Sequence, residues 1–428
     1  MLKTIVTILA AILLTHGGSA QLSGLRNKIK NKVSQRADRR VDESIDKTLD
    51  KIEGKDSSDP EGTPKPPQTK EDSNRSGTTP KSFAKYDFVP GEQMIYANSF
   101  ESEAAGELPT GWNSSGNAVV VTTNAAPGNW LQVYQNTVVL TDNTSDFTEN
   151  CTVEFDLILQ RSNPKAVFPQ LAFGVMSSGD LASTTDNVLL KEYYKYFATE
   201  LKLQPAPNNG SHMHLETFLK VGRYLNTDIK NFGKLELMFG QVIHIAMQVQ
   251  KERLRVWINE DKMYDLPKAV APGINLNQFF VRVKSGVYKD DEVAYLVGNI
   301  RIAKGLPDTR HKLMDEGRFS TAGILFEVNK AVIKPESNGV LREIASVMNQ
   351  YKDLRIRIVG HTDSDGKDAD NLALSKQRAA AVKESLVSEY GIDPSRMETD
   401  GKGESEPVGD NQTKEGKAAN RRVEFIKI

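Results

Sequence analysis

Asp363 and Arg378 are the residues in this chain whose types and spacing suit a defined piece of chemistry. Asp363 follows a short apolar-alternating run, Arg355–Gly360, and stands where a strand passes into a loop. Arg378 lies inside a helical pattern, and a loop that folds back brings the first two turns of that helix beside the strand end. A carboxylate and a guanidinium then flank one pocket. The ligand that satisfies both is zwitterionic, its ammonium on Asp363 and its carboxylate in a forked pair with Arg378. Charge-assisted bonds of this kind contribute about 1.5–3 kcal/mol each. A ligand carrying only one of the two charges leaves the other side of the pocket unpaired. Residue types alone also allow a plainer reading, in which the two side chains pair with each other or face solvent.

Other residues invite catalytic or metal chemistry and do not sustain it. His361 precedes Thr362 and Asp363, and Ser375 follows, but no Gly-x-Ser-x-Gly elbow surrounds that serine, which sits in a helix. Asp363-Ser364-Asp365-Gly366-Lys367-Asp368 has the look of a calcium loop without its terminal glutamate, and a solvated acidic turn explains it. His212 and His214 alternate on a strand with no third ligand evident, which favours a surface or edge position. Glu154 and Asp156 could serve as the two carboxylates of a glycosidase, which stand about 5–10 Å apart. They alternate with Val153, Phe155 and Leu157, the pattern of a half-buried strand with its polar side in solvent. Trp112, Trp130 and Trp257 could stack on sugars, although strand alternation assigns Trp257 to the core. Cys151, the single cysteine, cannot close an internal disulfide and reads as a buried structural residue. No catalytic residue, metal ligand or cofactor is assigned.

The elements that must position these residues follow from pattern. The chain has 428 residues and a net charge of -1, enough for two or three domains and without the basic excess of a nucleic-acid binder. Residues 1–20 have the plan of a secretory signal: Lys3, an apolar run from Ile5 to Leu14, then Gly17-Gly18-Ser19-Ala20. No cysteine follows at Gln21, which disfavours a lipid anchor. Residues 21–54 place Leu22, Leu25, Ile29, Val33 and their successors on one narrow stripe of a charged amphipathic helix. Residues 55–87, rich in Pro, Ser, Thr, Lys, Asp and Gly, predict a disordered spacer.

From 88 to 303 short alternating runs such as Val242–Gln250 and Leu254–Asn259 predict an antiparallel β-sandwich. Lys251-Glu252 joins these two as a hairpin. A polar connector spans 304–320. From 321 to 428 the pattern becomes strand (Ile324–Val328), helix (from Pro335), strand (Arg355–Gly360), helix (Asn371–Tyr390), then strands at Met397–Lys402 and Arg422–Ile428. Helices on a small mixed sheet make an α+β layer. The fold class is multidomain, a jelly-roll β-sandwich followed by an α+β domain.

The last segment carries Phe326-Glu-Val-Asn329, Pro335-Glu-Ser337, Gly360-His-Thr-Asp363, Asn371, Leu374-Ser375, Arg378-Ala379, Gly401-Lys-Gly403, Pro407, Asn411, Thr413, Gly416 and Asn420-Arg421-Arg422-Val423-Glu424. In this order and spacing they resemble the OmpA-like peptidoglycan-binding family, over about a quarter of the chain. The resemblance implies that Asp363 and Arg378 hold the distal ammonium and carboxylate of diaminopimelate in the peptidoglycan stem peptide. It also implies that Asn371 and Leu374 shape and line the pocket, that Phe326 and Glu327 form its rim, and that backbone amides near Thr362 help hold the ligand. Of the paired Arg421 and Arg422, one is structural, and neither is counted among the binding residues. The sandwich resembles concanavalin-like and laminin-G-like jelly rolls, through weaker motifs.

The expected protein is a non-enzymatic anchor of the Gram-negative cell envelope, in the outer membrane or periplasm. Its C-terminal domain binds peptidoglycan, and its sandwich meets a glycan or another envelope protein. The alternative is a wall-localised carbohydrate-active enzyme with its active site in the sandwich.

Overall fold

The computed structural model describes residues 86–428 apart from residues 144, 193, 194, 221 and 307. The expected secretory signal, the charged helix 21–54 and the spacer up to residue 85 lie outside the described residues. Among the described residues no helix is long and apolar enough to cross a membrane.

Residues 93–304 form two antiparallel sheets of eight strands each. In the first, the order is Asp261–Leu266, Arg253–Ile258, Val242–Gln250, Asn150–Arg161, Val293–Lys304, Asn129–Val133 and Ala118–Thr122, with Gln93–Asn98 also paired to Val293–Lys304. In the second it is Gly222–Asn226, His212–Leu219, Phe197–Gln204, Leu171–Ser177, Gln278–Val283, Thr137–Leu140 and Asn113–Ser114, with Lys230–Asn231 on the side of His212–Leu219. The sheets share one core. Phe155 of the first sheet stands edge-on to Phe173 of the second, centroids 5.0 Å apart, and 5.3 Å from Phe279. The expected hairpin forms with a two-residue turn in which Lys251 takes φ +54°.

The central strand Asn150–Arg161 turns Val153, Phe155 and Leu157 into that core. Its alternate residues Glu154 and Asp156 were expected in solvent, and the structure buries them at 4% and 5% exposure. The reason is a second cover. A strap of residues 86–91 lies across the outer face of this sheet, and the C-terminal domain lies on the strap. Phe88 packs edge-on against Trp257 at 5.2 Å, and Trp257 Nε1 donates to Asp87 Oδ1 at 3.0 Å. The next residue, Val89, joins the C-terminal core. Residues 86 and 87, expected in the spacer, are therefore part of the fold, and Trp257 packs under the strap rather than between the sheets.

The C-terminal domain has a four-stranded sheet in the order Arg318–Thr321, Val423–Lys427, Ile356–His361, Met397–Gly403, parallel only in its last pair. The helices Asn338–Gln350 and Asp368–Ser388 cover the face that presents Ile356, Ile358 and Phe425. Two expectations are corrected. The first strand is Arg318–Thr321, which begins inside the segment 304–320 read as a polar connector, because Phe319 stands opposite Phe425 in the register and Leu313 enters the core just before it. Ile324–Val328 is not a strand. It folds back on itself, with one isolated bridge from Phe326 to Ile333 and Asn329 at φ +56°.

Candidate functional site

Gly360, near the end of the strand Ile356–His361, allows the long helix to approach closely, since a Cβ there would meet Ser375 O at 2.2 Å. A Cβ on Gly401 of the neighbouring strand would meet Lys376 N at 2.4 Å. These two contacts press the second and third turns of Asp368–Ser388 onto the strand ends, and Arg378 is carried on that part of the helix.

Asp363 is buried just beyond the strand end. Its Oδ2 is bound by Arg421 Nη1, and its Oδ1 accepts Asp365 N–H at 3.2 Å. Asn371 clasps the loop, its Nδ2 donating to the carbonyls of Asp363 at 3.3 Å and Asp365 at 3.1 Å. Arg378 is half-buried, stacked 4.9 Å from the Phe326 ring centroid, and its Nε donates to Lys330 O at 3.1 Å. Burial and the like charge of Arg421 hold its pKa below the ordinary guanidinium value, while Asp363 acts the other way. Phe326, Arg378, Arg421 and the buried His361 line a cavity of about 110 Å³.

The structure therefore brings Phe326, Arg378, Arg421 and Asp363 together. Asp363 pairs with Arg421 and not with Arg378. The expected Thr362 amide is engaged in the sheet, donating to Gly403 O at 2.9 Å, and the buried Thr362 Oγ1 has no hydrogen-bond partner among the described residues. Glu327 pairs with Lys330 at 2.6 Å, and of the expected site residues Phe326 and Arg378 line the cavity, whereas Asp363, Asn371, Thr362, Glu327 and the half-buried Leu374 do not.

Residues 325–421 match the model of the OmpA family. The outer-membrane lipoprotein YfiB of Pseudomonas aeruginosa is 35% identical over 123 residues, which are 28% of this chain and 73% of that protein. The chain belongs to the OmpA family. Outer membrane porin F of Pseudomonas fluorescens is 48% identical over 101 residues, 24% of this chain and 31% of that protein. Outer membrane protein A of Bordetella avium is 46% identical over 104 residues, 24% of this chain and 53% of that protein. The chain spans less than two thirds of the length of these last two relatives. Such relatives are envelope proteins, and an outer-membrane or periplasmic location holds for this member of the OmpA family.

Within the OmpA-family segment, sequence reasoning left Arg421 out. The signal that separates it from Arg422 is parity. Arg422, the residue before the last strand, is two positions from Glu424 and donates to its Oε1 from Nε at 2.9 Å and from Nη2 at 2.7 Å. Arg421 takes the other side and reaches Asp363. The Arg422 pair, Arg318 and His361 together hold the Glu424 carboxyl at about 2, against the burial that would raise it.

Proposed function

We propose that this chain binds peptidoglycan non-covalently through the diaminopimelate of the stem peptide and tethers its β-sandwich in the cell envelope. The observation that carries the reading is one buried carboxylate, Asp363, bound by Arg421, whose guanidinium lines an adjoining cavity together with Arg378 and Phe326. A zwitterionic carbon fits that set. Its carboxylate lies between the two arginines, and its ammonium replaces part of the Asp363–Arg421 pairing. A free anion or a free cation satisfies only one side.

The non-enzymatic reading draws support from the sandwich. Glu154 and Asp156, the carboxylates a glycosidase would need, are buried and bound to Arg301 and His244. Trp112, Trp130 and Trp257 are all buried, so none of them offers a ring to a sugar. The two all-antiparallel sheets suit a concanavalin-like jelly roll whose own ligand is a glycan or an envelope protein. A glycan array and an assay for released reducing ends separate binder from enzyme.

The test of the wall reading is co-sedimentation of the full chain with diaminopimelate-type sacculi. Asp363→Ala and Arg378→Ala should each lower the pelleted fraction at least tenfold, from the loss of about 1.5–3 kcal/mol per charge-assisted bond. Folded variants that pellet as well as the parent would refute the pocket.

A further inference from the structure

The cavity beside Arg378 has a wall that the C-terminal domain does not supply. Arg301, from the sandwich strand Val293–Lys304, lines it together with Arg378 and Arg421. Arg301 also lines a second, larger cavity of about 320 Å³ between the two domains, with Asn98, Glu101, Asn299, Asp365, Lys414, Lys417 and again Arg421 among its walls. Arg301, Ala418 and Arg421 are common to both cavities, so the small pocket and the interdomain cleft adjoin.

The strand is shaped to deliver Arg301 there. Its register slips between Gly298 and Arg301, and Asn299 takes φ +51°. Asn299 Nδ2 donates to Asp156 Oδ2 at 2.8 Å, and Arg301 Nη2 donates to the buried Glu154 Oε1 at 2.8 Å, which fixes the guanidinium at the cleft. The cleft carries four cations, Arg301, Lys414, Lys417 and Arg421, against Glu101 and Asp365. Lys414 is held by Glu103 at 2.5 Å, Lys417 by Asp365 at 2.7 Å, and Arg421 by Asp363. Arg301 makes one hydrogen bond through one nitrogen, and a guanidinium has five N–H donors. Each of the four cations thus has a carboxylate of its own, and what Arg301 offers a ligand is its remaining N–H donors, whose fork geometry suits a carboxylate.

We infer that Arg301 of the sandwich is a specificity-determining residue of the wall site, which receives a second carboxylate of the same stem peptide in the interdomain cleft. The inference rests on the peptidoglycan reading above. A stem peptide offers two such carboxylates outside its distal diaminopimelate carbon: the α-carboxylate of the γ-linked glutamyl residue and the carboxylate that ends the peptide. The sandwich is then part of the receptor and not only its cargo.

The experiment measures the dissociation constant of the full chain for the soluble tripeptide alanyl-γ-D-glutamyl-meso-diaminopimelate by calorimetry. Two further ligands have either the glutamyl α-carboxyl or the terminal carboxyl converted to the amide. Amidation at one of these positions should weaken binding to the unaltered chain about tenfold or more. In Arg301→Gln that penalty should vanish, because the charge that reads the carboxylate is gone. Arg301→Lys keeps a charge opposite Glu154 and serves if the glutamine variant does not fold; there the penalty should shrink, since the fork is lost. No effect of either amidation overturns the inference, as does a penalty that persists in the Arg301 variants. Tighter binding by Arg301→Gln also overturns it, since the guanidinium would then be blocking the site. Arg378→Ala separates the two readings. If it abolishes binding of all three peptides while Arg301 and both amidations are neutral, the pocket stands and the inference falls. If the unaltered chain binds none of them, both fall.

Discussion

His244 lies between two carboxylates at the sandwich face that the C-terminal domain covers, Nδ1 2.9 Å from Asp156 Oδ1 and Nε2 3.5 Å from Glu154 Oε1. Burial works to lower its pKa, and the hydrogen bond to Asp156 with the nearby charge of Glu154 outweighs that and holds it up to about 9. Against the burial that would raise them, the charges of Arg301 and His244 keep the Glu154 carboxyl, and the His244 bond keeps the Asp156 carboxyl, below the usual range. An unfolded histidine titrates near about 6.5. The folded value is raised, so this contribution is fully present below about pH 6.5 and is lost as pH rises through about 9. The thermal midpoint of the parent should therefore fall between pH 7 and pH 10 more steeply than that of His244→Gln. The variant should be less stable at pH 7 by about 3–5 kcal/mol, the cost of breaking a buried pair. Equal slopes in the two proteins would contradict the assignment. The alternation that puts Glu154 and Asp156 opposite Val153, Phe155 and Leu157 is legible in the sequence, but alternation reports only that two faces differ. It cannot say whether the polar face meets water or another domain, and the parity of Arg422 with Glu424 is a signal of the same kind.

At the scale of elements, the site depends on how closely one helix lies on two strand ends. Gly360 and Gly401 permit that approach, and Gly360→Ala would push a methyl group into the backbone at Ser375. The helix Asp368–Ser388 would have to shift, with an overpacking cost of about 1–3 kcal/mol, and Arg378 would move with it relative to Asp363. Sacculus co-sedimentation by Gly360→Ala should drop even at temperatures where the circular dichroism of the variant matches the parent. Retention of full binding would show that the pocket tolerates helix displacement. Both long helices and the strands Ile356–His361 and Val423–Lys427 could be placed from periodicity, because each has an apolar stripe of its own, as Ile356 and Ile358 or Val382 and Leu386 show, and Met397–Gly403, with Met397 as its one apolar residue, could be placed from its neighbours in the order. Ile324–Val328 failed for the converse reason. Its apolar residues alternate as a strand's would, but each meets a different environment: Ile324 is core, Phe326 is stacked under Arg378, and Val328 is exposed at a turn. A short apolar run that serves three surroundings looks like a strand only when the surroundings are unknown.

The molecule as a whole is joined by the strap 86–91, whose residues face two cores in alternation. Tyr86 and Phe88 pack with Ala246 and Trp257 on the sandwich, while Val89 enters the C-terminal core. The carbonyl of Phe88 would lie 1.8 Å from a Cβ on Gly339, so the helix Asn338–Gln350 rests directly on the strap, and Arg342 holds the Tyr86 carbonyl. A charged-and-polar segment reading cannot find such a strap, because Tyr86, Phe88 and Val89 gain their meaning only from surfaces far away in the chain. Across the same boundary Lys414 binds Glu103 and the backbone of Ala97 donates to Glu415. Each domain nevertheless has its own apolar core, so the boundary and not either core decides whether the two unfold together. Trp257→Ala removes the ring that Phe88 leans on, and a fully buried tryptophan truncated to alanine costs about 3–5 kcal/mol. If the strap couples the domains, calorimetry of the parent should show one cooperative transition for residues 86–428, and Trp257→Ala should split it into two. Because the cleft that holds Arg301 forms only while the domains stay docked, the same variant should lose the amide discrimination between stem peptides while keeping the contacts of Arg378 and Asp363. A single transition in both proteins, with discrimination intact, would mean that the polar contacts around Lys414 hold the boundary by themselves.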